Sequence, residues 1–149
     1  MICAIRIKGE VGLRKDTIEG LNRLRLKRKY ACVVVKPTKE NIGAIKKLKD
    51  FIAYGKISDE TFEELIEKRG KAIDKKAIGI RVAKKGEIDA KKIVAGFKEG
   101  KSFEELGLKP FFRLHPPRGG IDSKIHFGKK KGVLGDNKES INRLVERML

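Results

Sequence analysis

The order of strand-like and helix-like patterns over residues 1–57 constrains the fold most strongly. Residues 2–8 alternate between two faces, with Cys3 and Ile5 on one and Arg6 on the other, which predicts a strand with one apolar face. Further strands are predicted at residues 31–35 and 51–57, and helices at residues 15–26 and after Pro37. This β-α-β-α-β order predicts an α+β protein whose core is a small two-layer sandwich of one sheet and its helices.

Residues 58–149 carry helical patterns separated by less regular segments. Helices are predicted at residues 58–70, 89–98 and 138–148. Residues 110–115 are extended and apolar enough to pair with a sheet, and residues 77–83 fit one more short strand. Residues 116–135 are rich in Gly, Lys and Pro and hold little core material, so we expect them to be unordered until a partner binds.

These patterns divide the chain into two predicted parts. Residues 1–57 form a β-α-β-α-β core domain. Residues 58–149 form an extension packed on that core, with helices, a basic Pro/Gly loop at residues 113–135 and a C-terminal helix. The 149 residues are enough to bury a hydrophobic core without disulfides or metals.

The charge of the chain indicates a polyanionic partner. Lys and Arg number 37 against 20 acids, a net charge of +17, and a chain with that excess repels itself unless an anion is bound. The net charge is +10 over residues 1–57, +1 over 58–107 and +6 over 108–149, so the two ends are the predicted binding surface. Nucleic acid is favoured over a membrane, since no apolar run approaches the roughly 20 residues that span a bilayer.

Cysteine usage and composition indicate the cellular compartment of the protein and the growth temperature of its source. Cys3 and Cys32 stand alone in apolar strand patterns, which predicts buried free thiols. A disulfide is not expected, because the N-terminus runs straight into a strand with no secretory signal, and this predicts a cytoplasmic protein. The absence of Gln and Trp, together with 38% charged residues, suits an organism that grows at high temperature.

The first basic cluster lies at the predicted end of the first helix. It consists of Arg23, Arg25, Lys27, Arg28 and Lys29. Like charges this close repel one another unless an anion lies between them, which favours phosphate contact. The alternative is a solvated helix end, because cations there interact favourably with the helix dipole.

Arg14 and Lys15 stand where the first helix begins. The helix dipole favours acids at that end, so two cations there are locally misplaced. Together with the free backbone amides they would form a phosphate cradle. A commonplace pair of surface cations is the alternative.

The second basic cluster spans the Pro/Gly loop. Its candidate RNA-binding residues are Arg113, His115, Pro116, Pro117, Arg118, Gly119, Gly120, Lys124, His126, Lys129, Lys130 and Lys131. The prolines stiffen the loop, and the glycines allow its backbone to approach a sugar-phosphate surface closely. The alternative is a flexible cationic loop with no fixed partner.

Two patterns suggest an enzyme, and neither has the context that catalysis needs. His115 and His126 could act as acid and base in RNA cleavage, but only Asp122 stands near them as an orienting acid. Residues 95–102 satisfy a relaxed phosphate-loop pattern, yet helix-like residues precede them where a strand is required. Ser102 and Glu105 instead form a capping box for a short turn. No metal, cofactor or catalytic residue is predicted.

Four stretches carry a resemblance to a known family. They are residues 2–29, the segment Phe51-Ile-Ala-Tyr-Gly55, the loop Arg113-Leu-His-Pro-Pro-Arg-Gly-Gly120, and residues 135–148. In order and spacing they resemble the archaeal form of the L-thirty family of large-subunit ribosomal proteins, called L-seven in eukaryotes. Bacterial members resemble only residues 1–57, so residues 58–149 correspond to an archaeal and eukaryotic addition. The long basic N-terminal extension of eukaryotic members is missing, which points to an archaeal source.

The resemblance implies the fold and the function. It implies a three-stranded sheet with two helices on one face, related to ferredoxin-like sandwiches, and binding to large-subunit ribosomal RNA without catalysis. We therefore predict a structural constituent of the large ribosomal subunit that is monomeric outside the ribosome, contacts ribosomal RNA and neighbouring ribosomal proteins, and has no small-molecule substrate. The alternatives are a free-standing RNA-binding factor and, more remotely, a nucleotide-binding or ribonuclease enzyme.

Overall fold

A mixed β-sheet runs through the middle of the protein. The structure is a computed structural model and describes residues 1–73, 89–121, 123–128 and 132–149. The strands are β1 Ile2–Arg6, β2 Ala31–Val35, β3 Ile52–Lys56, β4 Phe112–Arg113, β5 Ser123–His126 and β6 Gly132–Asp136. The helices are α1 Lys15–Arg23, α2 Lys39–Lys47, α3 Asp59–Arg69, α4 Ala90–Lys98 and α5 Ile141–Met148. The predicted α+β class and the β-α-β-α-β order of its first five elements are confirmed.

β1 is a central strand buried on both faces. It pairs antiparallel with β2 on one side and with β3 on the other. Ala4 packs towards α1 and α2 with Leu21 and Ile45, while Cys3 and Ile5 pack on the opposite face with α3, α4 and α5. The expectation of one apolar face was therefore wrong, because α1 and α2 cover the face that was expected to be polar and helices of residues 58–149 cover the face of Cys3 and Ile5.

Residues 58–149 also lengthen the sheet at both edges. The sheet order is β4-β2-β1-β3-β6-β5, with β4 antiparallel to β2 and β6 parallel to β3. The extended segment predicted at residues 110–115 does pair with the sheet, through Phe112 opposite Cys32. β5 and β6 were not predicted, because their glycine-rich residues 123–136 lack the apolar alternation of an ordinary strand. The division into a core domain and an extension stays a prediction.

Local signals place the starts of α2 and α3 and the end of α3 as predicted, whereas α1 ends at Arg23 instead of residue 26 and α5 begins at Ile141 instead of residue 138. The Thr38 hydroxyl accepts a hydrogen bond from the Asn41 amide at the start of α2, and the Ser58 hydroxyl accepts one from the Thr61 amide at the start of α3. Gly70 ends α3. The strand proposed at residues 77–83 lies outside the described residues. In the described part of the chain, no helix is both long and apolar enough to cross a membrane.

The two cysteines are buried thiols, as predicted. Cys3 and Cys32 are on neighbouring strands and face the same core, with their Sγ atoms 3.4 Å apart. The hydrogen bond with Cys3 and, to a smaller extent, burial raise the pKa of the Cys32 thiol well above its ordinary value.

Candidate nucleic-acid interface

Apart from Arg23, which ends α1, the first basic cluster lies on a short loop between α1 and β2. Leu26 is buried at the start of this loop and Tyr30 is half-buried at its end, while the side chains of Lys27, Arg28 and Lys29 between them are exposed. The two apolar anchors fix the ends of the segment to the protein, so its cations face solvent.

Arg6 holds this loop from inside the protein. Its side chain is only 1% exposed, and Nη1 donates hydrogen bonds to the carbonyl oxygens of Leu26 at 3.0 Å and Lys27 at 2.7 Å. Its Nε and Nη2 donate to the carbonyls of Lys8 and Gly9 on the neighbouring turn. Burial lowers the pKa of Arg6, although the nearby charge of Glu10 opposes that shift. Arg6 thus joins two exposed segments through their main chains.

Sequence reasoning did not single out Arg6 as a functional residue. It was assigned to the polar face of a half-exposed strand, whereas it occupies a buried position. The available signal was an arginine within the apolar run of residues 2–7. Since a buried guanidinium needs several acceptors, this position predicts a cluster of carbonyl groups around it.

Two members of the first cluster already have acidic partners. Arg23 forms an ion pair with Glu19 at 2.5 Å, and Arg25 forms one with Glu104 at 2.9 Å. Lys27 and Arg28 have no acidic partner among the residues that the structure describes. The positive charges of Lys27 and Arg28 are therefore less compensated than those of Arg23 and Arg25.

A cavity of about 400 Å³ brings the first basic cluster together with Arg113 of the second. Its lining residues are Arg25, Lys27, Arg28, Lys29, Tyr30, Ala31, Phe111, Arg113 and Leu114. The pairing of β4 with β2 causes this juxtaposition, because it places Arg113 opposite Ala31. The Lys29 ammonium lies 4.6 Å from the centre of the Tyr30 ring, and the Arg113 guanidinium lies 5.9 Å from that of Phe111. We call this site the basic cavity.

The loop from His115 to Gly120 is held by the C-terminal helix. The His115 amide donates to the Met148 carbonyl at 2.9 Å and the Arg118 amide to that of Arg147 at 2.8 Å. The Arg147 side chain donates in turn to the carbonyls of Arg118 and Gly120, at 2.6 to 2.9 Å. Pro117 is buried, whereas Pro116, Gly119 and Gly120 are exposed. Both glycines have a positive φ. The structure therefore differs from the expected unordered loop over residues 116–121, because α5 supplies carbonyl acceptors, the donors of the Arg147 side chain and a packing surface.

A family model and individual relatives both match the chain, and they indicate the same family. The model of the family described as "Ribosomal protein L30p/L7e" matches residues 3–52. The chain is 34% identical over 152 residues to "Large ribosomal subunit protein uL30" of Methanosphaera stadtmanae, covering 100% of both chains. It is 38% identical to the protein of the same name from Nanoarchaeum equitans, covering 97% and 96%, and 37% identical to that from Archaeoglobus fulgidus, covering 99% of each. The chain belongs to the L30p/L7e family of ribosomal proteins.

Some of the candidate RNA-binding residues lie in the segment that matches the family model. Residues 3–52, which match the family model, contain Arg6, the first basic cluster and the pair Arg14 and Lys15. Arg14 and Lys15 are exposed at the start of α1, where Arg14 is the N-terminal cap residue and makes no side-chain capping bond. Asp16 in the same turn supplies the acid that the helix dipole favours. The RNA contact of Arg14 and Lys15 stays a prediction.

His126 has an acidic partner that the sequence did not indicate. Its Nε2 atom lies 2.8 Å from Oδ1 of Asp50, and both side chains are about half exposed. The expectation that only Asp122 stands near the histidines was therefore wrong for His126, since the sheet brings β5 beside the residues that follow α2. Asp122 and Lys129, Lys130 and Lys131 lie outside the described residues, and the structure describes only the main chain of Lys124.

The phosphate-loop pattern is the end of a helix, as its context predicted. α4 runs through Lys98, and the capping box forms, with the Ser102 amide donating to Glu105 at 2.8 Å and the Glu105 amide to Ser102 at 3.3 Å. Lys101 pairs with Glu99 at 3.3 Å, and the Lys36 ammonium donates to the Gly100 carbonyl. A member of this family is a structural ribosomal protein, so the enzyme alternatives have no support.

Proposed function

We propose that this protein is a structural constituent of the large ribosomal subunit that binds and stabilises folded ribosomal RNA. The observation that carries the proposal is its similarity, at 34–38% identity over nearly the whole chain, to curated proteins named for the large subunit. Its net charge of +17 fits a polyanionic partner. As a ribosome component it acts in the cytoplasm, beside other ribosomal proteins, and is a monomer before it is incorporated.

The cations around the basic cavity are the proposed centre of the RNA contact. Lys27 and Arg28 are exposed and lack acidic partners among the described residues, so their charges are available to phosphate groups. Arg6 fixes the main chain that carries them, which lowers the entropy lost on binding. His115, Arg118, Gly119 and Gly120 extend the proposed contact along the loop that Arg147 anchors.

Co-sedimentation with ribosomal subunits tests the proposal. We expect the protein in a lysate to migrate with the large subunit after a moderate salt wash. A free-standing RNA-binding factor would leave the subunit and sediment slowly in the same gradient. That outcome would replace the ribosomal assignment with the alternative.

Salt dependence of binding to purified large-subunit RNA tests the electrostatic contact. If about six to ten phosphates are neutralised, affinity falls roughly 10³- to 10⁵-fold between about 50 and 200 mM salt. The double variant Lys27→Ala, Arg28→Ala is expected to flatten the logarithmic salt slope by about two. The matched control is Lys46→Ala, Lys47→Ala, which removes two exposed cations from α2 and is expected to change the slope much less. If both double variants changed the salt slope equally, the RNA contact would be spread over the protein surface and not centred on the basic cavity.

A further inference from the structure

We propose that the basic cavity receives one unstacked nucleobase of the bound RNA, while the cations at its rim hold the adjoining phosphates. This inference rests on the proposed function, because it assigns the ligand of one site within the RNA contact. It adds recognition of a single extruded nucleotide to a surface otherwise expected to bind phosphate groups.

The cavity is lined by apolar and by cationic side chains, which suit the base and the phosphate of a nucleotide respectively. Tyr30, Phe111 and Leu114 supply an apolar wall, and five cationic side chains stand around it. No carboxylate is present among the described residues that line it. A surface that binds phosphates alone needs no concave apolar wall, whereas a base has two flat apolar faces to bury. The volume of about 400 Å³ is within the range of sites for small organic ligands.

The main chain of Tyr30 is held in place before RNA binds. The Tyr30 amide donates to the Arg6 carbonyl at 2.7 Å, and the Tyr30 carbonyl accepts from the Leu114 amide at 3.0 Å. These bonds connect Tyr30 to β1 on one side and to the residues following β4 on the other. Because the main chain of Tyr30 is held from both sides, little backbone freedom is lost when a base stacks on its ring.

Backbone strain lies at both ends of the cationic loop. Arg25 has a φ of 60° and Tyr30 a φ of 63°, in the left-handed region that residues with a side chain seldom occupy. Such conformations cost free energy and persist where the surrounding structure imposes them. Here the two strained residues lie on either side of Lys27, Arg28 and Lys29, whose side chains line the cavity.

The cations that cover the rings can move aside for a base. The Lys29 ammonium lies over Tyr30 on a flexible four-carbon chain, so it can turn towards a phosphate and leave the ring face to a base. The planar Arg113 guanidinium beside Phe111 can likewise turn towards a phosphate or stack on a base. Neither movement requires repacking of the core.

Affinity and salt slope, measured together, separate this proposal from the proposed function. For purified large-subunit RNA we expect Tyr30→Leu and Phe111→Leu each to bind roughly 5- to 150-fold more weakly than the wild type, with an unchanged salt slope. Tyr54→Leu is the matched control, since Tyr54 is half-buried against the same core as Phe111 but does not line the cavity. Its affinity is expected to equal that of the wild type. Thermal unfolding identifies any variant that has lost its fold.

Three results would overturn the proposal in different ways. If folded Phe111→Leu and Tyr30→Leu bind like the wild type while the wild type keeps a steep salt slope, the cavity is empty and the proposed function stands. If the wild type does not bind the RNA, both proposals fail. If Tyr54→Leu is weakened as much as the cavity variants, the loss comes from the fold and not from stacking.

Crosslinking at zero length locates the base directly. Ultraviolet irradiation of the protein–RNA complex is expected to join a single nucleotide to Tyr30 or Phe111, as read by mass spectrometry of the digested complex. An RNA fragment with an abasic site at that nucleotide should then bind the wild type at least as weakly as the intact fragment binds Tyr30→Leu, and the losses from the abasic site and from Tyr30→Leu should be clearly less than additive. Additive losses from the abasic site and Tyr30→Leu would show that the base lies elsewhere.

Discussion

The guanidinium group of Arg6, buried within the sheet, donates a hydrogen bond of 2.7 Å to the carbonyl oxygen of the exposed residue Lys27. This bond links the end of β1 to the loop that carries the first basic cluster. A second bond from the same nitrogen reaches Leu26 at 3.0 Å. The geometry of the candidate RNA contact thus depends on a residue that RNA cannot touch.

Replacing Arg6 is expected to lower the free energy of unfolding. Arg6→Met leaves the carbonyl groups of Lys27 and its neighbours without their charged donor, which should lower the free energy of unfolding by about 3 kcal/mol in urea titrations. Arg6→Lys keeps the charge but cannot donate in four directions, so it should also destabilise the protein, by a smaller amount. Arg23→Met, at an exposed position, should change stability by less than about 0.5 kcal/mol. Equal losses at positions 6 and 23 would contradict this role of Arg6.

Arg147 is expected to hold the His115–Gly120 loop in the free protein. In amide exchange without RNA, the Arg118 and Gly120 amides should be protected, and Arg147→Ala should reduce that protection roughly tenfold, since three hydrogen bonds to main-chain carbonyls are lost. The control is Arg143→Ala, an exposed arginine on the same helix, which should leave the exchange unchanged. Fast exchange of both amides in the wild type would show that the loop becomes ordered only on RNA.

Gly55 is expected to tolerate no side chain. A Cβ atom there would overlap the Lys138 carbonyl oxygen and lie 3.0 Å from Cβ of Ile141, so Gly55→Ala should lower the free energy of unfolding by about 3 kcal/mol. Gly43→Ala is the matched control, because Gly43 faces open space within α2. It should stabilise the protein by up to about 1 kcal/mol, the difference in helix propensity. Urea unfolding of the two variants measures both, and a neutral Gly55→Ala would mean that the C-terminal segment shifts easily.

Stability is expected to fall in alkaline solution through Cys32. The pKa of its thiol is raised in the folded protein by the hydrogen bond with Cys3 and by burial, so the folded state keeps a proton that the unfolded state releases above about pH 9. This contribution is complete below the ordinary pKa and is lost as the pH rises, at up to about 1.4 kcal/mol per pH unit. Urea unfolding from pH 8 to 10 should show a steeper decline for the wild type than for Cys32→Ala. Parallel declines would contradict the shift.

Local patterns predicted the first 70 residues well. The strand at residues 31–35 and the ends of α3 at Ser58 and Gly70 were correct, because alternation, capping and glycine stops act within a few residues. The glycine of the segment Phe51-Ile-Ala-Tyr-Gly55 was recognised only as part of a family resemblance. Its physical reason, the close approach of Lys138, depends on the packing of the C-terminus.

The elements that the sequence did not predict form through distant contacts. β6 contains two glycines and is a strand because it lies parallel to β3, at Ala53 opposite Gly135. His126 meets Asp50 for the same reason. Neither relationship leaves a periodic signal, since each partner is far away along the chain.

For the candidate site, the sequence alone determined which residues carry charge and that they concentrate at the two ends of the chain. It also determined the family, through motifs whose order and spacing are local properties. Only the tertiary structure decided that Arg113 joins Lys27–Lys29 around one cavity, that Arg23 and Arg25 already have acidic partners, and that Arg6 supports the loop from beneath. The reason is physical: charge belongs to each side chain, whereas its availability to RNA depends on neighbours that strand pairing and burial bring from elsewhere in the chain.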